Sequence, residues 1–260
     1  MTDNDKKESW FISDLHLFSR RSSAPQIENL IQSAVSRSDT FILGGDIFDF
    51  RWSTQLSKGE AINDSIAWLE RLIENNTSCK FHYLLGNHDC HPEFVDALQR
   101  LAESTPQLSW HRHLLRIDQN VFLHGDIVDT RVLPGQVHHD VLDAKRLIGE
   151  SRKPPTKISH AIYDAAVQAR VHRLVVQLAK RKDLVLKRLT DYLKAHSQDY
   201  ESGVNHVYFG HTHRQLRSIP YAGMRFYNPG AAIKGLPFQM MEIHPNHSQQ
   251  KKINPVATYQ

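Results

Sequence analysis

Phe41-Ile-Leu-Gly-Gly-Asp-Ile-Phe-Asp49 is the stretch that decides how this chain is read. An apolar run with strand character stops at two glycines and delivers Asp46 onto a turn. A second carboxylate, Asp49, follows. The same pattern, an apolar run closed by Asp, Asn or His, recurs at Asp14-Leu-His16, Gly86-Asn-His-Asp89, His124-Gly-Asp126 and Gly210-His-Thr-His213. Open α/β sheets collect their ligands outside the carboxyl ends of the strands. Five strand ends of this kind predict one site at one edge of a sheet. Asp46 is read as a carboxylate shared by two metal ions.

The chain has 260 residues, enough for one large domain or a domain with an insertion. Its 40% hydrophobic and 23% charged residues are ordinary globular values, so a sizeable core is expected. The 17 histidines are the outlier, and five of them sit in the clusters above. Net charge is +4. The segment from Ile127 to Gly203 carries fourteen Lys and Arg against nine Asp and Glu, while the rest is nearly balanced. That placement predicts an anionic partner or substrate at this segment. Cys79 and Cys90 show neither CxxC spacing nor a disulfide framework, which fits a reducing interior. Met-Thr-Asp-Asn-Asp-Lys-Lys-Glu at the start is too polar for a signal peptide. No apolar run approaches the ~20 residues that span a bilayer. The expectation is a soluble, cytoplasmic protein whose basic face could touch an anionic inner-membrane surface.

Taken in order, Trp10-Phe-Ile-Ser13 reads as a buried strand. If the backbone beyond it stays extended, Asp14 and His16 point to one side and can grip one ion. Helices are expected over 26–36, with Ile27, Leu30, Ile31, Ala34 and Val35 on one face, and over 61–74. Phe50-Arg-Trp52 brings a candidate phosphate clamp, Arg51, beside the site; a surface arginine is the plain alternative. Lys80 to Leu85 is a third strand, Pro92 opens a helix, and 114–118 with 120–123 form a hairpin running into His124. The segment from Ile127 to Gly203 is helix-prone, broken at Lys153-Pro-Pro-Thr156, and has Asp183 as a candidate N-cap. It reads either as a basic cap inserted near the site, or as flanking helices or a dimer contact. Gly203 to Phe209 returns to the core, and Arg225 to Tyr227 and Met240 to Ile243 close the sheets, with Asn228-Pro-Gly230 as a turn.

Each cluster alone is a weak signal, and a polar strand end without metal would explain it. All five in order are a strong one. Carboxylate and imidazole suit Mn²⁺ first, with Fe or Zn²⁺ as alternatives, and a site without thiolates argues against structural zinc. Two ions ~3.5–4 Å apart can clamp a phosphoryl group and activate a bridging water for in-line attack.

The order Asp-x-His, Gly-Asp, Gly-Asn-His-Asp, His-Gly-Asp, Gly-His-x-His resembles the calcineurin-like metallophosphoesterase superfamily, and the match spans Asp14 to His213. The resemblance implies a four-layer α-β-β-α sandwich of two mixed sheets. It also implies that Asp14, His16, Asp46 and His213 hold one metal and that Asp46, Asn87, His124 and His211 hold the other. His88 would then protonate the leaving oxygen, with Asp89 fixing its tautomer. Unlike the protein Ser/Thr phosphatases, with Gly-Asp-x-x-Asp-Arg-Gly and Arg-Gly-Asn-His-Glu, this chain has Gly-Asp-Ile-Phe-Asp-Phe-Arg and Leu-Gly-Asn-His-Asp. The Phe-Ile-Ser-Asp-Leu-His-Leu opening, the Gly-Asp-Ile-Phe-Asp-Phe run and the basic insert are similar to the UDP-diacylglucosamine pyrophosphohydrolase branch. That branch carries Arg where His88 stands here, and Asn228-Pro-Gly230 is similar to small bacterial phosphodiesterases instead. Three functions follow: an esterase for a small or lipid-linked phosphorylated substrate, a nuclease, and a non-catalytic scaffold like the phosphoesterase-fold subunit of retromer. The inserted segment has only Tyr163, Tyr192 and Tyr200 to stack single-stranded bases, and every catalytic position that a scaffold could lose is filled.

Overall fold

The structure is a computed structural model describing residues 8–133, 135–150 and 181–245. The expected break at Lys153-Pro-Pro-Thr156 and the helical repeat from Ile162 to Leu178 lie outside them. In one sheet β1 (Glu8–Ile12), β2 (Ser38–Leu43), β3 (Lys80–Leu84) and β4 (Leu108–His111) run parallel. Parallel neighbours need crossover connections, and α1 (Glu28–Val35), α2 (Lys58–Glu74) and α3 (Pro92–Ser104) supply them. Local sequence starts two of these helices. Ser57 accepts the Glu60 amide while Glu60 accepts the Leu56 amide at the head of α2, and Pro92 opens α3.

The second sheet contains β5 (Leu114–Ile117), β6 (Asn120–Leu123), β7 (His206–Phe209), β8 (Leu216–Tyr221) and β9 (Met224–Asn228), in the order β5-β6-β7-β9-β8. β10 (Met241–Glu242) pairs antiparallel with β1 at the edge of the first sheet. Between β6 and β7 come α4 (His138–Glu150) and α5 (Lys182–Ala195).

Alternation along the strands builds the layers. Phe11, Ile42 and Leu84 of the first sheet meet Leu115, Phe122, Tyr208 and Tyr227 of the second in one core between the sheets. Their chain neighbours Ile12, Phe41, Leu43 and Tyr83 face the other way, against α1 to α3. Val121, Leu123, Val207 and Phe209 face outward against Leu142 of α4 and Val185, Leu186, Leu189 and Leu193 of α5. The result is the expected α-β-β-α sandwich of two mixed sheets.

Among the described residues after Ile127, α5 is an outer layer of the sandwich, while α4 also lines a cavity with His88 and His211. Asp183 lies within the first turn of α5 rather than capping it. β4 and β8 were not expected. Both are edge strands, and β8 carries Pro220, which an edge tolerates. No helix among the described residues is long and apolar enough to cross a membrane.

Where α4 meets α5, three imidazoles stack. His113 and His139 lie 3.9 Å apart and His139 and His196 lie 4.1 Å apart, each pair within 8° of parallel. Asp143 meets His113 at 2.9 Å, and the Tyr192 hydroxyl meets His139 at 2.8 Å. Burial is the main cause that lowers all three pKa values below 6.5; neighbouring imidazoles add to it at His139 and His196, and Asp143 opposes it at His113. Because the folded values are depressed, the stack is at full stability above pH 6.5 and loses it as pH falls below that value. A thermal melt from pH 7.5 to pH 5 should lose less in His139→Asn than in the parent chain. An equal loss in both would dismiss the stack as the cause.

Candidate metal centre

Two loops lace together beyond the carboxyl ends of β1 and β2. Asp14 N–H donates to Gly45 O at 3.0 Å, His16 N–H to Asp46 O at 3.0 Å and Leu17 N–H to Ile47 O at 2.8 Å. This lacing uses left-handed backbone: φ is +54° at Asp14, +48° at His16 and +51° at Asp46. The extended geometry expected for Asp14 and His16 is therefore not what brings their side chains together. His211 and His213 share the left-handed conformation, at +64° and +54°. Such residues cost about 1–3 kcal/mol each and persist only where surroundings over-determine them.

Among the described residues the donor atoms converge in three groups, His16, Asp49 and His88 forming one, and the expected ligands make up the other two. Asp14 Oδ1, His16 Nε2 and His213 Nε2 form a triangle with sides of 3.9, 3.1 and 3.3 Å. Ligands about 2.1 Å from one ion would be spaced at roughly 3–3.5 Å, close to these sides. In the second group, Asp46 Oδ2 lies 3.2 Å from His124 Nε2, and a donor of His211 completes a set within 4.8 Å. His124 Nδ1 donates to Gly44 O at 3.1 Å, which turns Nε2 inward. Buried Asn87 Oδ1 has no hydrogen-bond partner. A buried orphan acceptor is costly, and an ion is a partner that this atom fits. Asp14, His16, Asp46, Asn87, His124, His211 and His213 thus stand around one centre, with oxygen and imidazole donors and no thiolate.

Asp49 carries most of what the sequence missed. Its Oδ1 lies 3.1 Å from His88 Nδ1, and its Oδ2 lies 3.2 Å from His16 Nδ1 and 3.1 Å from Arg21. One carboxylate therefore orients both imidazoles. This corrects the role expected of Asp89. Asp89 folds back onto the backbone instead, accepting the Gly86 amide at 2.7 Å, the Ile47 amide at 2.8 Å and the Tyr83 hydroxyl at 2.7 Å. It staples two loops together and does not touch His88. The signal was available in Gly-Asp-Ile-Phe-Asp, whose second Asp had no assigned task. Asn228 was read only as a turn residue, yet its amide donates to Gly210 O and Thr212 Oγ1 and holds the Gly-His-Thr-His loop.

The electrostatics belong to a site built for cations. Burial tends to raise the carboxyls of Asp46 and Asp49, but the surrounding imidazoles overcome it and hold both well below the usual range. Burial pulls His88 down, yet Asp49 and then Asp46 outweigh it and lift it to about 9. His124, also penalised by burial, is lifted to about 10 by Asp46. Burial, with Asp46, raises Asp89 to about 6. The proton on His124 answers the same buried negative charge that an ion would answer, so ion binding should release it, whereas the proton on His88 is held by Asp49.

The sequence profile of the calcineurin-like phosphoesterases matches residues 9–215. The chain belongs to that family. Membership makes it a metal-dependent phosphoesterase. A solved structure described as a dimetal phosphatase from Danio rerio is similar over 87% of this chain and 88% of its own, at 14% identity and a TM-score of 0.44. No curated protein sequence matches the chain.

Beside the centre, the phosphoesterase has a cavity of about 170 Å³ bordered by Asn87, His88 and His211. Arg51 lines it, with a buried Nε that makes no hydrogen bond, and so do Lys145, Ile148 and Gly149 of α4. A cavity of that volume has room for a phosphoryl group.

Two glycines let the backbone press against the carboxylates. A Cβ on Gly86 would lie 2.2 Å from Asp46 Oδ1, and one on Gly210 would lie 2.2 Å from Asp14 Oδ2. Gly86→Ala and Gly210→Ala should each lower stability by about 1–3 kcal/mol and weaken Mn²⁺ binding, read by denaturant melts and calorimetric titration. Unchanged ion affinity in both would show that the carboxylate positions do not matter to binding.

Proposed function

We propose that this phosphoesterase uses two divalent ions to hydrolyse a phosphodiester, pyrophosphate or phosphomonoester of a small or lipid-linked anionic substrate. The observation that carries the reading is the pair of donor groups, Asp14 with His16 and His213 and Asp46 with His124 and His211, together with a cavity lined by His211, Arg51 and Lys145. Asp14, His16, Asp46 and His213 would hold one ion, and Asp46, Asn87, His124 and His211 the other. When bound, the two ions would supply Lewis-acid charge over a phosphoryl group and lower the pKa of a coordinated water. Mn²⁺ is the first choice, with Fe and Zn²⁺ as alternatives for the same donors.

The chain's own residues do the rest. With Nδ1 of His88 engaged by Asp49, Nε2 is the atom that hands its proton to the departing oxygen as the P–O bond breaks. Asp49 keeps that proton in place, and Asp89 supports the loop that carries His88. Arg51, which lines the cavity, would take two non-bridging oxygens with its planar fork. Ile148 on the cavity rim is 60% exposed and next to exposed Leu147, which favours a substrate with an apolar portion over a nucleic acid strand.

Asp46→Ala should empty both ion sites; two ions per chain in that variant would sink the shared-carboxylate reading. His88→Ala should keep its ions yet lose about 10²–10⁴ in kcat, most for poor leaving groups. A raised imidazole pKa means that the acid form is present at lower pH and is lost as pH rises through about 9. Asp49→Asn should therefore move the alkaline limb of the pH–rate profile to lower pH, whereas Asp89→Asn should leave it in place. The deciding assay is metal-free protein with Mn²⁺ restored, given bis-p-nitrophenyl phosphate, p-nitrophenyl phosphate, UDP-sugars with and without acyl chains, and single-stranded DNA. Preference for DNA would make it a nuclease, and ion binding without turnover would make it a scaffold.

A further inference from the structure

Arg146 of α4 is only 4% exposed and fully engaged. Its Nε and Nη2 hold Asp126 as a fork, at 2.8 and 2.9 Å. Nη2 also donates to Leu85 O at 2.9 Å, and Nη1 donates to Arg112 O at 2.7 Å. Two of the three acceptor residues, Leu85 and Asp126, lie two positions from a residue of the centre. Leu85 directly precedes Gly86-Asn87-His88. Asp126 follows His124 by two residues and begins the 3-10 turn Asp126–Asp129. Asp129, at the end of that turn, meets His211 Nε2 at 2.9 Å. One guanidinium thus ties α4 to the segments behind Asn87 and His124 and, through the turn that ends at Asp129, to the side chain of His211. None of its bonds reaches the loop of Asp14 and His16, and none involves His213.

We infer that Arg146 is a positioning residue for one half of the centre, setting the affinity of the ion held by Asn87, His124 and His211 while leaving the other ion alone. The inference rests on the two-ion reading above. It explains why a buried charge pair is kept where an apolar pair of similar volume would be as stable or more so: the fork and the two carbonyl bonds fix three chain segments at once. A lysine keeps the charge but presents one compact ammonium without the planar fork, so it cannot hold Asp126, Leu85 and Arg112 together in this geometry.

The test is Mn²⁺ titration of the metal-free full chain, by calorimetry together with electron paramagnetic resonance. The parent should bind two ions and show the signal of a spin-coupled pair. In Arg146→Lys one binding event should weaken ~10–100-fold, the range for removing an outer partner of a metal ligand. The other event should be unchanged, and the spectrum at one equivalent should be that of an isolated Mn²⁺. Arg146→Met/Asp126→Asn removes both charges together, leaves no unpaired buried ion, and should show the same selective loss should the lysine variant fail to fold. Two full sites with the parent's affinities would overturn the inference, and so would equal weakening of both events, which marks general loosening. A parent chain that binds no ion would overturn the metal reading itself, and the inference with it.

Discussion

Three carboxylates, Asp14, Asp46 and Asp49, are buried to 1% exposure or less within one cluster. Taking a carboxylate out of water costs several kcal/mol unless partners repay it, and most local features of the centre are partners. Asp49 takes His16, His88 and Arg21. Asp14 takes the Ser13 hydroxyl and the His211 amide. Asp46 takes the His88 amide and faces His124. Backbone amides can reach these oxygens only because Gly86 and Gly210 lack a Cβ and because five of the surrounding residues accept left-handed backbone. What the partners leave unanswered is negative charge aimed at two points, and that residue of charge gives the site its affinity for cations.

The centre also straddles the two sheets. Asp14, His16, Asp46 and Asn87 follow strands of the first, and His124, His211 and His213 follow strands of the second. Donor spacing near 3 Å therefore depends on how one sheet sits on the other. The core between them is aromatic where this matters: Phe11 meets Phe122 and Tyr208 at 5.9 and 5.8 Å, and Tyr208 stacks on Phe122 and Tyr227 at 5.0 and 4.7 Å. Interdigitated rings resist sliding because close-packed interiors are bistable rather than continuously deformable. Packing between the sheets is thus part of the chemistry.

Residue type and order were legible in the sequence, because a strand end that stops in Asp, Asn or His announces itself. The five clusters, the helices after β1, β2 and β3, and the hairpin before His124 all fall in that class. Direction was not legible. Asp89 neighbours His88 in sequence, yet a tight turn points its carboxylate back at Gly86 and Ile47, and the imidazole finds Asp49 from another loop. Spacing of two placed Asp14 and His16 together for the wrong reason, since the backbone there is left-handed rather than extended. β4 and β8 escaped notice because edge strands need only one buried face, and Leu108-Ser-Trp-His111 and Leu216-Arg-Ser-Ile-Pro-Tyr221 carry too few apolar residues for a core strand.

A surplus of basic residues between Ile127 and Gly203 pointed to an anionic ligand there, and among its described residues some of these cations have partners within the protein. Arg146 belongs to Asp126, Lys187 to Asp191 at 2.7 Å, and Arg188 donates to Val128 O. Among the described residues of the segment, Lys145 is the cation besides Arg146 that lines the cavity. In the proposed function, a phosphorylated substrate would meet Arg51 and Lys145 on the cavity wall. Discrimination among such substrates would then draw on the rim, where Ile148 and Leu147 offer apolar surface rather than further charge.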